Sequence, residues 1–222
     1  MKNIGISPEA FIKIGPAVIT NTVLTTWLVM TVIAVACWFA KRRLSLRPSG
    51  FQEILEAGLI AIENTVRDVL PDADPWLVIP VIGTLWILIG VSNLAGLVPG
   101  LNTPTADINT TFAFAVLSFS MAHFFGIKTL GFKGYLRHYT RPSWVLLPFH
   151  IIAEATRTVA LAVRLFGNML SGEMTAAIIL GIAGLLVPIP FALLHIVIGI
   201  IQAYIFGILT LVFIAGGIQK EV

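Results

Sequence analysis

Five stretches of this sequence are each long and apolar enough to cross a lipid bilayer, and nothing else in it restricts the fold as much. They cover about residues 17–40, 76–97, 110–127, 145–180 and 189–216. A spanning helix needs about 20 mostly apolar residues. Hydrocarbon offers no water to backbone N–H and C=O groups, so such a run must close its own hydrogen bonds as a helix. Composition agrees: 57% of the 222 residues are hydrophobic and 11% are charged, against about 25% charged in a soluble domain. So few charges cannot cover a globule of this size, whereas a lipid-facing surface needs none. The sequence predicts an all-α membrane protein with about five transmembrane helices in one membrane domain, residues 1–222. The fourth and fifth spans exceed what a bilayer requires, which predicts a long, tilted hairpin.

Basic residues alternate between the connections. Lys41, Arg42, Arg43, Arg47 and Arg67 follow the first span, Lys128, Lys133, Arg137 and Arg141 follow the third, and Lys220 follows the fifth. The connections after the second and fourth spans carry neither Lys nor Arg. Cytoplasmic loops collect these residues, so the N-terminus is expected outside and the C-terminus in the cytoplasm, although Lys2 and Lys13 run against the pattern. The net charge of +3 is dispersed in these clusters, which reports topology and not a nucleic-acid partner. The first apolar run lacks a small-residue cleavage site and has its basic cluster behind it, so it reads as a retained helix. Cys37 is the only cysteine and forms no internal disulfide.

Residues 51–70 have helical periodicity without the apolarity to span. Gln52, Glu53, Glu56, Glu63, Asn64, Arg67 and Asp68 share one side, and Phe51, Ile54, Leu55, Leu59, Ile62, Val66 and Val69 share the other. This predicts one amphipathic helix in the membrane interface, serving as a surface connector or as a platform for a partner subunit.

The fourth span carries two arginines, Arg157 and Arg164. An Arg at mid-membrane costs about 2.5–3.5 kcal/mol on insertion scales and must face protein or water. The two are seven residues apart and so nearly share a face. Because Arg stays charged at physiological pH, it acts as a fixed electrostatic device and not as a proton carrier. Glu154 lies three residues before Arg157, where a structural ion pair that lets both groups insert is expected. Glu173 lies nine residues after Arg164, which turns it to the opposite side of the helix. On the fifth span His195 and Gln202 share a face. Glu173 and His195 fit a proton-relaying pair, and His195 equally fits an interhelical hydrogen bond. Asn168, one turn from Arg164, and Gln202 read as part of that site or as interhelical polar glue.

Several chemistries are excluded. His123, His138, His150 and His195 are scattered, with no His-Glu-x-x-His spacing for zinc. There is no Gly-x-Ser-x-Gly elbow and no P-loop, so neither a cofactor nor direct nucleotide binding is expected. No internal repeat appears, and an inverted repeat would have favoured a stand-alone secondary transporter, the main alternative.

Residues Arg157 to Glu173 read RTVALAVRLFGNMLSGE. This stretch resembles the signature of subunit a of F-type ATP synthases, with Arg-Leu-Phe-Gly-Asn at Arg164 to Asn168. SNLAGLVPG from Ser92 resembles the end of that family's second span, TPTADINTT from Thr103 the start of the next, and HIVIGIIQAYIF from His195 the last helix. The resemblance covers roughly residues 76–216 in the family's order, and residues 1–75 match by layout only. It implies an ion-translocating, non-catalytic subunit. Arg164 would face a rotating ring of c subunits, with Asn168 one turn away and Gln202 facing the arginine. Glu173 and His195 would line the access path from the outer side, with Asp107 near it. Peripheral-stalk b subunits and membrane lipid are the other implied partners, and a bacterial inner membrane the implied location. Thr158 stands where many relatives have Pro. Glu173 and His195 favour protons as the coupling ion, with sodium the alternative.

Overall fold

Prolines, β-branched runs and a few glycines set the limits of the helices. A computed structural model describes residues 10–14, 17–42, 50–71, 74–98, 101–140, 147–184 and 187–218. Lys2, Arg43, Arg47, Arg141 and Lys220 lie outside the described residues, as do residues 145–146 at the expected start of the fourth span. Strands β1 (Ala10–Ile14) and β2 (Ala17–Thr20) pair antiparallel, with Ile12 opposite Ile19 and Ile14 opposite Ala17. Six helices follow among the described residues: α1 (Asn21–Arg42), α2 (Gly50–Val69), α3 (Ile79–Ala95), α4 (Ile108–Thr140), α5 (Leu147–Ala183) and α6 (Pro188–Ile218).

The hairpin corrects the expected start of the first span. Residues 17–20 are strand, and the helix begins at Asn21. Val18, Ile19 and Thr20 are β-branched, which lowers their helix propensity and suits a strand. α3, α5 and α6 lie over the expected second, fourth and fifth spans, while α4 runs on to Thr140, past the expected end of the third span near residue 127. α1, α4, α5 and α6 are long and apolar enough to cross a membrane. α3, with 17 residues, is about 25 Å long, and a 3-10 turn over Pro75–Leu77 leads into it. The chain is an all-α membrane protein but for the terminal hairpin. α5 and α6 pack together and would be about 55 and 46 Å long if straight, well beyond a hydrocarbon core of about 30 Å. Gly184 (φ 76) supplies the left-handed residue that ends α5, and Pro188 opens α6. A second positive φ, at Gly131 (72, with ψ 158), breaks α4, in a region of backbone space open essentially to glycine alone.

Two apolar clusters hold the bundle. One joins Val66 and Leu70 to Ile79 and Ile82, Phe125, Leu211 and Ile214. The other joins Leu85 and Ile89 to Phe114, Leu161, Leu165, Met169 and Phe206. The apolar side of α2 is thus split. Its C-terminal part packs on α3 and α6, while Ile54, Leu55 and Leu59 stay exposed. The outward side of α1 is apolar, including Trp27, Leu28, Val32, Trp38 and Phe39, as a lipid-facing surface requires. Threonines inside these helices cost little, because their hydroxyls donate to the carbonyl four residues back: Thr26 to Thr22, Thr31 to Trp27 and Thr156 to Ile152. Specific polar links tie helix to helix. Ser118 donates to Thr210 at 2.7 Å, and Trp86 Nε1 donates to the Tyr204 carbonyl at 3.1 Å.

Candidate functional site

The buried stripe of α5 determines where Arg164 points. Leu161, Leu165 and Met169 recur every fourth residue and are almost fully buried against α3 and α6. Arg164 and Asn168 flank that stripe and face outward, on the exposed side of the α5–α6 pair. Among the described residues Arg164 forms no ion pair. Asn168, one turn on, donates from Nδ2 to Gln202 Oε1 at 2.8 Å. Gln202 lies in the buried stripe of α6 (3% exposed), and its Nε2 is buried without a partner among the described residues. The structure therefore brings Asn168 and Gln202 together beside Arg164, with the amide pair spanning the helix–helix seam.

Glu173 lies nine residues on, about 14 Å along the helix axis. It is half-buried. Its Oε1 accepts from the Thr103 backbone N–H at 3.2 Å and from the Thr103 hydroxyl. His195 is beside it without being bonded to it. A Cβ on Gly172 would overlap His195 Nδ1, so the imidazole lies directly on the backbone of Gly172. Among the described residues His195 Nε2 is buried without a partner, and Glu173 bonds Thr103, not His195. Asp107 caps α4, accepting from the Asn109 N–H at 2.9 Å, and also accepts from the Thr22 hydroxyl of α1 at 2.9 Å.

Between these groups lies a buried polar seam that motif reading did not single out. Thr105 donates to Asn93 Oδ1 at 2.5 Å, and Asn93 Nδ2 donates to the Gly199 carbonyl at 2.7 Å. Ser92 Oγ, next in the chain, is buried without a partner among the described residues. Thr103, Thr105, Ser92 and Asn93 are all buried. The available signal was chemical: Ser and Asn side by side in an otherwise apolar run need partners once buried.

On the other side of Arg164, Arg157 lies about 10 Å back along α5. It lines a cavity of about 180 Å³ together with His150, Glu154, Phe119, Phe213 and Gly217. The expected Glu154–Arg157 ion pair is not seen among the described residues. The Glu154 carboxylate lies 3.7 Å from His123 Nδ1 on α4. α4 packs against α5 and brings the imidazole to this carboxylate. Thr158 donates to the Glu154 carbonyl at 3.0 Å, so this turn keeps its helical geometry with Thr in the position.

Arg164 thus stands on an outward helix face between two separate polar regions. One is built around Glu173 from α3 and the turn that precedes α4, the other around Glu154 from α4 and α5. Comparison with known proteins bears on the same residues. The family model for the ATP synthase A chain matches residues 23–215. ATP synthase subunit a 2 of Pelobacter propionicus is 51% identical over 96% of this chain and 92% of its own length. ATP synthase subunit a of Legionella pneumophila (strain Paris) is 50% identical over 94% of this chain and 91% of its own. For ATP synthase subunit a 1 of Hahella chejuensis the identity is 46%, over 98% and 92%.

Proposed function

The chain belongs to the ATP synthase A chain family, and from that premise we propose that it is the ion-translocating stator subunit of an F-type ATP synthase, giving a rotating c-subunit ring two offset aqueous half-channels. The observation that carries this reading is the placement of Arg164, exposed on α5 with polar regions on both sides of it and no ion pair of its own among the described residues.

Each ring subunit presents a carboxyl group at mid-membrane. Burial in lipid raises a carboxyl pKa and a nearby cation lowers it. Facing lipid, the group stays neutral and can rotate. Opposite Arg164 it ionises and gives up its proton toward one side, and it is reloaded from the other side through the offset path. Arg164 is charged at any working pH, so it repels a cation attempting to pass directly between the two paths. Flow then requires rotation. The Asn168–Gln202 bond holds two amides beside the guanidinium, and Glu173, His195, Thr103 and Asp107 line the outer path. Water completes the hydrogen bonding of Ser92, His195 and Gln202, since an unpaired buried polar atom costs about 1–3 kcal/mol. Protons are the coupling ion favoured by the titratable Glu173 and His195. The b subunits of the stalk hold the chain in place, in a bacterial inner membrane with its C-terminus in the cytoplasm.

The test is ATP-driven pumping by vesicles carrying the assembled complex, with Arg164→Ala and with ATP hydrolysis read in the same preparation. Lost pumping with assembly intact is the expected result. Retained pumping removes the proposal and favours a transporter acting alone. Omitting sodium from the wild-type assay separates the ions, because pumping that stops without sodium identifies sodium as the coupling ion.

A further inference from the structure

We infer that Thr103 is the positioning residue for Glu173: its hydroxyl and its backbone N–H together hold one oxygen of the carboxylate and leave the other to exchange the ion. This rests on the function proposed above and deepens it.

Thr103 is placed to present both donors. It precedes Pro104, which disfavours helical backbone at the residue before it, and its own backbone is extended. It occupies the N-cap of the 3-10 turn Pro104–Ala106, where a threonine oxygen ordinarily accepts from the first N–H groups of the turn. Here the side chain makes no such cap. The hydroxyl is turned across to α5 instead and donates to Glu173 Oε1, which also accepts from the Thr103 N–H at 3.2 Å. Thr103 is 1% exposed, so solvent does not compete for either bond. Gly96, at the end of α3, keeps the space for this contact. Its backbone is right-handed and open to any residue, so glycine is not needed there for conformation. A Cβ at Gly96 would overlap the Thr103 hydroxyl and lie 3.4 Å from Glu173 Oε1.

The turn itself is fixed from several sides. Alternate residues reach different helices: Thr103 bonds Glu173 on α5, Thr105 bonds Asn93 on α3, and Asp107 accepts from Thr22 on α1. The Glu173 carboxylate is thereby held in register with α1 and α3 as well as with its own helix. Two donors on one carboxylate oxygen form charge-assisted bonds, which are stronger and more directional than neutral ones. Among the described residues Glu173 Oε2 makes no hydrogen bond, so it is the oxygen open to the ion. With protons as the ion, each passage adds one proton at Oε2 from outer water and removes it toward the ring, and the carboxylate is restored. Because Oε1 stays bonded to Thr103, Oε2 meets every ion from the same position.

Pumping per assembled complex in vesicles provides the test. Thr103→Val keeps the shape and the N–H but removes the hydroxyl, and should lower pumping at least about tenfold, as a small misplacement of a reacting group does. Thr103→Ser restores the hydroxyl and should recover most of the loss. Gly96→Ala alters neither partner but drives a Cβ into their contact. It should lower pumping as Thr103→Val does, and it carries the test if that variant does not assemble. In a Glu173→Gln background Thr103→Val should cost less than about twofold more, since the carboxylate it positions is gone. A Thr103 that serves only the fold would give less complex with normal pumping per complex, and that result overturns the inference. So does the same loss whether or not Glu173 has been replaced. Arg164→Ala separates the two levels. If it stops pumping while Thr103→Val and Gly96→Ala pump normally, only the positioning role is refuted; if it still pumps, the underlying function fails.

Discussion

Asn93→Ala isolates the polar seam behind the Glu173 site. Asn93 is 2% exposed, and its amide makes two interhelical bonds, accepting from Thr105 at 2.5 Å and donating to the Gly199 carbonyl at 2.7 Å. Alanine removes both bonds but keeps the Cβ against which Gly199 packs. A Cβ added to Gly199 would lie only 3.1 Å from Asn93 Cβ, so α3 and α6 approach closely here. Hydrogen bonds between membrane helices average about 0.6 kcal/mol and reach about 1.7. Two of them give an expected loss of about 1–3 kcal/mol. The full desolvation penalty for the orphaned Thr105 hydroxyl and Gly199 carbonyl would exceed that, but the seam is polar enough for water to replace the amide. The assay is heat inactivation of coupled pumping in proteoliposomes. The inactivation rate should rise roughly 5- to 150-fold, taking 1.36 kcal/mol per factor of ten. Thr105→Val removes one of the same bonds, so its cost and that of Asn93→Ala should be less than additive. An inactivation rate within twofold of wild type, or full additivity, would show that these bonds do not hold α3 to α6.

Gly172→Ala should displace the His195 imidazole, which an added Cβ would overlap, and lower pumping while ATP hydrolysis and assembly persist; unchanged pumping would mean that the ring's position is immaterial. Under the proposal that both act in one path, Glu173→Gln and His195→Leu together should cost little more than the worse single change, and additive losses in pumping rate would assign them separate roles. Gly207→Ala should drive a Cβ into the Trp86 indole at Nε1 and break its bond to Tyr204. About 1–3 kcal/mol of overpacking strain is expected, seen as less assembled complex on native gels, whereas normal abundance would show that Trp86 moves aside freely.

The motif residues were legible because their signal is local. An Arg in an apolar helix stands out whatever surrounds it, and helical periodicity already set Arg164 and Glu173 on opposite sides. Their partners were not legible. Glu154 has Arg157 within reach on its own helix, yet its carboxylate lies 3.7 Å from His123 Nδ1 on α4. Glu173 has His195 across the hairpin, yet bonds to Thr103 in the turn before α4. Nothing in the spacing of residues along one helix reports which neighbour rotates its polar face toward it. Asn93 and Thr105 lay inside quoted motifs, and only the packing of α3 on α6 separated them from their apolar surroundings.

What the sequence alone determined is everything that lipid enforces on a single segment: how many apolar helices there are, their order, the amphipathic α2, and the helix faces carrying Arg164, Glu173, His195 and Gln202. Each follows from backbone hydrogen bonding and a period of about 3.6 residues. Tertiary structure decided the start of α1 after the β-hairpin, the fold-back of α4 at Gly131, and the pairing of each buried polar group. In lipid the apolar faces of helices have little preference among neighbours, so close approach at Gly172, Gly199 and Gly207 and the few available polar partners fix the packing. Apart from Asn93–Thr105, those contacts join residues roughly 20 to 120 positions apart, beyond the reach of any local pattern.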